Sequence, residues 1–210
     1  MSLKVLVIAE DPTNNGYILK PLVSRLLEEC GKPNAKVQIL TNPKADGYAN
    51  AKQLIIEQVL DRYSHFDLLL FLPDADGKDR SAEFQGLMRA AEDRNVKLIC
   101  CAARQEVEVW LLAGHAGKLG KHWPEIAADV SAKENVFDPF LEKYGDRRRA
   151  GGGRDLLMDE TLRNYSGLLQ RCPELAELQK RTMSMLGTLQ GQVESSSCLP
   201  CNSFANTNVL

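Results

Sequence analysis

The chain has 210 residues, of which 44% are hydrophobic, and its 26 basic and 28 acidic side chains give a formal net charge of −2. That balance offers no overall attraction to a polyanion, so contact with nucleic acid needs a local basic patch or a bound cation. No apolar run approaches the ~18 residues of a membrane span and the N-terminus lacks a signal peptide's charged head and cleavage site. The six cysteines are therefore expected to be reduced thiols, in a soluble, cytoplasmic protein with no membrane partner.

Residues 4–9 (Lys-Val-Leu-Val-Ile-Ala) are a β-branched run that predicts a first strand. It closes on Glu10-Asp11-Pro12-Thr13-Asn14-Asn15, a polar turn able to cap a helix. Residues 17–30 place Ile18, Leu22, Leu26 and Leu27 at helical spacing, with Gly31 as the stop signal. A short second strand is expected over 35–40, a turn-rich loop over 42–50, and a helix over 51–63 with Leu54, Ile55, Val59 and Leu60 inward. Residues 67–72 (Asp-Leu-Leu-Leu-Phe-Leu) form a continuous apolar run after one acid, the pattern of a strand buried on both faces. A helix over 81–94, capped by Ser81 or Asp79, and a fourth strand over 96–102 follow. Strands alternating with helices predict an α/β fold: a Rossmann-like, four-stranded parallel sheet flanked by helices.

The pattern changes after Gln105. A short helix over 106–113 holds Glu108 and Trp110, and residues 114–136 are polar and broken by Gly117, Gly120 and Pro124. Helices are expected over 137–144, 156–170 and 172–189, with a Gly/Arg loop over 145–154 and a Ser-, Asn- and Cys-rich tail from Gly191. The expected organisation is an α/β domain over 1–113 and a helical C-terminal extension over 114–210, without internal repeats.

The apolar third strand ends in Pro73-Asp74-Ala75-Asp76-Gly77-Lys78-Asp79-Arg80. Open parallel sheets bind ligands at the carboxyl ends of their strands, so three acids crowded there mark a candidate site. Asp74 and Asp76 can share a divalent cation if the turn brings both side chains to one side, and hard carboxylate oxygens suit Mg2+ or Mn2+. The alternative is a solvated acidic turn. Glu10 ends the first strand, and if the first and third strands are adjacent it approaches the same rim. Converging carboxylates repel one another unless a cation relieves them, and a metal so held can polarise a phosphodiester or activate water. Glu10 taken alone can instead be a carboxylate favoured by a helix N-terminus.

In this order and spacing the acids resemble the signature of the Toprim domain of topoisomerases, primases and related nucleases, a glutamate after the first strand and an Asp-x-Asp pair after the third. Glu10-Asp11-Pro12-Thr13 is similar to the Glu-Gly-x-Thr opening of Toprim-like proteins linked to bacterial defence, with Asp11 in place of the glycine. Glu108-Val109-Trp110-Leu111-Leu112 is similar to a Glu-x-Trp-Leu segment after their fourth strand, and Cys201-Asn202-Ser203-Phe204 to a Cys-x-Ser-Phe element near their C-termini. The resemblance covers about residues 3–113 and implies a metal-dependent (Mg2+ or Mn2+) nuclease acting on DNA or RNA. It implies Glu10 as general acid/base or metal-linked carboxylate, Asp74 and Asp76 as metal ligands, and Glu108 as a further acid of the site. It also implies a separate ATPase partner and a role in anti-phage defence.

Each of these residues has a plainer reading beside it. Glu108 can pair with Arg104 at i, i+4, worth only tenths of a kcal/mol. Lys78 and Arg80 can hold phosphate oxygens or simply neutralise the turn. Trp110 suits the core better than a base-stacking platform. Arg147, Arg148 and Arg149, with Arg154 nearby, are the one concentrated basic patch and the candidate nucleic-acid contact, or else a solvated loop; Gly151 to Gly153 lack the Gly-Lys-Ser/Thr ending of a P-loop. Cys198 and Cys201 form a lone Cys-x-x-Cys, and neither Cys172 nor His115 and His122 complete the four ligands of a structural zinc. The rival to the nuclease is a non-catalytic interaction or sensor module on the same scaffold. A receiver-like magnesium-binding domain is a further alternative, although a fifth strand with its lysine is not evident.

Overall fold

The structure is a computed structural model and describes residues 2–196, with side chains through residue 187. Its strands are β1 (Lys4–Ile8), β2 (Lys36–Ile39), β3 (Leu68–Phe71) and β4 (Leu98–Cys100), all parallel in the order β2-β1-β3-β4. The chain steps from β1 to β2 on one side and returns to place β3 on the other. The strand order therefore reverses between β1 and β3, the place where the carboxyl ends of an open α/β sheet form a crevice.

Why the strands lack polar positions follows from the pleat. Val5, Val7, Leu68, Leu70 and Ile99 point into one buried cluster, while Leu6, Ile8, Leu69, Phe71, Leu98 and Cys100 point into a second. Side chains alternate along each strand, so only an unbroken apolar run can serve two covered faces. The second cluster is closed by α2 (Gly47–Leu54), a π turn over Ile55–Val59, α3 (Leu60–Arg62) and α4 (Ser81–Glu92).

The first cluster is closed by α1 (Gly16–Glu29), which contributes Ile18, Leu19, Leu22, Val23, Leu26 and Leu27, together with the helices beyond β4. These are α5 (Glu108–Ala113), α6 (Trp123–Ala128), α7 (Asp138–Tyr144), α8 (Arg154–Leu162), α9 (Tyr165–Arg171) and α10 (Pro173–Ser196). Trp110, Phe137, Met158, Leu168, Leu175 and Leu178 share one apolar cluster with Val5 and Leu70. The C-terminal helices thus complete the cover of one sheet face. Trp110 is fully buried and donates its indole N–H to Glu174 at 2.8 Å, the polar tether a buried tryptophan needs. Among the described residues no helix is long and apolar enough to cross a membrane.

Several boundaries differ from the sequence reading: the helix expected over 156–170 is two, α8 and α9, and the one expected over 106–113 starts at Glu108. The second helical segment starts at Gly47, not at residue 51, because Gly47 takes a φ of +78°, open to glycine, and its N–H reaches the Glu10 carbonyl at 3.4 Å. Residues 133–136, expected as broken polar chain, form with Phe137 a π turn leading directly into α7. Cys198, Cys201 and the Cys201–Phe204 element lie outside the described residues.

Candidate functional site

β1 and β3 pair in register, Ile8 opposite Phe71, and one more rung follows as Leu72 N–H donates to the Ile8 carbonyl at 2.9 Å. The two strands therefore release their chains side by side. Two residues past Ile8, the Glu10 carboxylate accepts the backbone N–H of Asp74 at 3.0 Å, with the Tyr48 N–H at the start of α2 helping from the other side. Burial and the charge of Asp76 raise the Glu10 pKa, against the pull of these donors and Arg80.

Asp74 is more deeply placed. A parallel bridge to Ala103 extends the β3–β4 ladder past its end, and Asp74 Oδ1 accepts the Val107 N–H at 2.7 Å, one residue before α5. Burial, followed by the charge of Glu108 and then those of Glu10 and Glu106, pushes the Asp74 carboxyl up to about 8. Glu108 opens α5 and is 1% exposed, and neither of its carboxylate oxygens accepts a hydrogen bond. Its counter-charge is Lys133, whose Nζ stands 3.3 Å from Oε1. The i, i+4 pair with Arg104 does not arise, since the helix begins at Glu108 and leaves Arg104 on the exposed approach to it. Glu106, raised mainly by burial, accepts the Lys133 backbone N–H at 2.8 Å.

Glu10, Asp74 and Lys133 border an open cleft of about 430 Å3 that Asp11, Asn15 and Lys44 also line. Asp11 folds its carboxylate back onto the Thr13 and Asn14 N–H groups at 2.9 and 3.2 Å, holding the turn after β1 in shape. Asn15, 3% exposed, leaves its side-chain oxygen without a hydrogen-bond partner on the cleft wall.

Comparison with protein-family models, curated proteins and solved structures returned no match.

The expected acids are thus only partly gathered. Glu10 and Asp74 meet, and Glu108 stands behind Asp74. Asp76 is turned away: it has a φ of +49°, followed by Gly77 at +67°, and their N–H groups bond the Gln105 and Arg104 carbonyls at 3.1 and 3.0 Å. This left-handed pair, tolerable for aspartate and glycine, leaves the Asp76 side chain 55% exposed beside Arg80 at 3.5 Å and Lys78 at 3.9 Å. Arg80 is committed to structure, its guanidinium lying 3.8 Å over the Tyr48 ring and pairing with Glu83, which also bonds Lys52. Lys78 stays exposed. Asp79 accepts the Ser81 N–H at 2.8 Å, while the cap position of α4 itself is Arg80, not Ser81 or Asp79.

The Gly/Arg loop sits at the same end of the sheet, because Gly151, at φ +70°, packs its Cα against the ring of Tyr17 in the first turn of α1. A side chain there would strike that ring. Arg147, Arg148 and Arg149 are each paired with a local acid, Glu142 at 2.6 Å, Asp146 at 3.1 Å and Asp155 at 2.7 Å. Arg154 turns inward, donating to the Gly151 carbonyl at 2.8 Å and covering the Phe137 ring. Cys100 and Cys101 are buried thiols, each pushed up to about 12 mainly by burial, which suits packing rather than reactivity.

Sequence reasoning overlooked Lys133, Glu106 and Asn15. The pair Glu106-Val107-Glu108 just past β4 was a legible signal, two acids spaced like Asp74 and Asp76 on the same rim. Lys133 carried none, for its polar stretch reaches the cleft only through the tertiary path of the chain.

Proposed function

We propose that this protein hydrolyses phosphodiester bonds of DNA or RNA with a divalent cation held at the Glu10–Asp74 rim. The observation that carries the proposal is the meeting of Glu10 and Asp74 at the reversal point of the sheet, on an open cleft whose carboxylates exceed their local counter-charge. The donor set fits such an ion in kind, since Glu10, Asp74 and the unpartnered Asn15 oxygen on the cleft wall are all hard oxygen ligands. Among the described residues no three acidic, His or Cys side chains lie together as one ligand group. Magnesium commonly keeps several waters and is held by one or two carboxylates plus substrate phosphate, so Glu10 and Asp74 suffice as protein ligands. When bound, the ion supplies a polarised phosphate and an activated water.

The chain's own residues do the rest. The Asp74 and Val107 N–H groups fix the two carboxylates without drawing on side chains that phosphate needs. Lys78, exposed beside the rim, offers an ammonium to a phosphate oxygen, while Arg80 keeps Asp76 and Tyr48 in place. Arg147, Arg148 and Arg149 lie on a loop packed on α1 at the same sheet end, where they can follow a nucleic-acid backbone. The Toprim resemblance extends the proposal to a separate ATPase partner, an anti-phage role and a cytoplasmic setting.

The test is cleavage of linear and supercoiled DNA and of single-stranded RNA in Mg2+ or Mn2+, with Asp74→Asn and Glu10→Gln as variants. Loss of one metal-bound transition-state contact predicts a fall of roughly a hundredfold or more in each. A second reading, a non-catalytic module on this scaffold, is favoured by the outward Asp76 and by the lysine among the carboxylates. Metal binding without turnover on any of these substrates decides for it.

A further inference from the structure

The carboxylates that stand behind Asp74 already have a cation, and it comes from the C-terminal half of the chain. Lys133 is held there twice, by its backbone N–H on Glu106 Oε2 at 2.8 Å and by its Nζ 3.3 Å from Glu108 Oε1. The Glu108 side chain is 1% exposed, the Lys133 side chain 38% exposed. Asp74, Glu106 and Asp11 also lie within electrostatic reach of the ammonium. The pairing is incomplete, because both Glu108 oxygens lack a hydrogen bond although they are shut off from water. A buried carboxylate in that state has unfilled capacity for a harder cation.

We propose that Lys133 is the resident counter-ion of the cleft and that a divalent ion displaces it, the two cations competing for the Asp74–Glu108 carboxylates. The inference rests on the reading that the cleft takes a divalent ion. Two positive charges cannot share those oxygens without repulsion, so binding of either weakens the other by the same factor. The lysine has somewhere to go: its backbone stays anchored on Glu106 while the partly exposed side chain swings into the open cleft. There the freed ammonium stands beside Lys44 at the mouth, available to an incoming phosphate oxygen. In the empty cleft Lys133 neutralises Glu108, and metal entry converts it into an anion contact.

Two measurements on the full chain test this. The first is Mn2+ affinity by calorimetry or by electron paramagnetic resonance at pH 7.5. Lys133→Gln is expected to tighten the dissociation constant about tenfold, the size of a typical coupling between sites, whereas Lys133→Arg, which keeps the charge, stays within about threefold of wild type. Unchanged or weaker binding in Lys133→Gln overturns the competition. The second uses wild-type protein alone, so it stands even if Lys133→Gln does not fold. Acetic anhydride labelling followed by mass spectrometry is expected to show Lys133 several-fold more reactive in saturating Mg2+, with the exposed Lys36 at the start of β2, the opposite end of the sheet, as the reference. Equal or lower reactivity overturns the inference. Absence of Mn2+ binding by every form overturns the metal reading and this inference together; tight binding with the expected competition but no cleavage removes only the hydrolysis.

Discussion

Asp74→Asn in metal-free protein gives the sharpest check on the electrostatics of the rim. Asparagine keeps the shape and an oxygen for the Val107 N–H, and the backbone N–H that Glu10 accepts is untouched. Only the ionisable proton is lost. The Asp74 carboxyl is raised from 3.8 to about 8, first by burial and then by Glu108. The folded protein therefore retains a proton that the unfolded chain releases near pH 4, and stability falls as pH climbs from about 4 to about 8. At roughly 1.4 kcal/mol per pH unit the full penalty is at most about 6 kcal/mol. Glu10 and Glu106, both also raised, titrate together with Asp74 and take up part of it, so half, about 3 kcal/mol, is the expected gain of Asp74→Asn at pH 8.5. For a domain of this size that is a rise of roughly 6–12 °C in Tm. Urea midpoints and thermal scans in EDTA from pH 4.5 to 9 measure it. The two proteins should coincide at the acid end and separate progressively above pH 5. A constant offset across the range, or an Asp74→Asn protein less stable at pH 8.5, would refute the account of the rim as an under-neutralised cluster. Millimolar Mg2+ should then raise the wild-type midpoint at pH 8.5 and leave that of Asp74→Asn unmoved.

Other perturbations probe separate parts of the molecule. Gly114→Ala drives a methyl group into the backbone and hydroxyl of Thr161, where α5 and α8 touch and Thr161 Oγ1 donates to the Leu111 carbonyl at 2.7 Å; the expected loss is about 3 kcal/mol by urea titration, at the upper end for overpacking. Replacing Arg147, Arg148 and Arg149 together by Ala should weaken binding to nucleic acid about tenfold near 0.1 M salt and flatten the log–log salt dependence by up to about three; an unchanged slope on filter binding would remove this loop from the interface. Burial lowers the pKa of His115, whose Nε2 meets the Leu157 carbonyl at 2.9 Å. The folded state therefore resists a proton that the unfolded chain takes up below about 6.5, and stability is lost as pH falls through that value. His115→Gln should lose less stability than wild type between pH 7 and 5.

How far the site was legible can be seen by following its residues one at a time. The runs 4–9 and 67–72 announced strands buried on both faces, since only continuous apolar sequence satisfies two cores at once. Two parallel strands paired in register then had to deliver Glu10 and Asp74 to one rim. Asp76 was spaced to join them, but spacing does not fix direction, and the left-handed backbone at Asp76 and Gly77 sends its carboxylate out to Lys78 and Arg80. Local helical periodicity offered Arg104 to Glu108, yet α5 starts too late for that pair and Lys133 takes its place.

By itself, then, the sequence determined the parallel α/β frame and the meeting of its first and third strand ends, because hydrophobic alternation and strand polarity act over a few residues and leave a local record. The tertiary structure alone decided which charges face those ends. Lys133 reaches Glu108 across 25 residues of chain, and the Gly/Arg loop settles on Tyr17 from more than 130 residues away, both carried there by C-terminal helices closing one sheet face. Contacts of that kind arise when separate amphipathic segments bury a shared core, and no short window of residues records which polar groups the packing brings together.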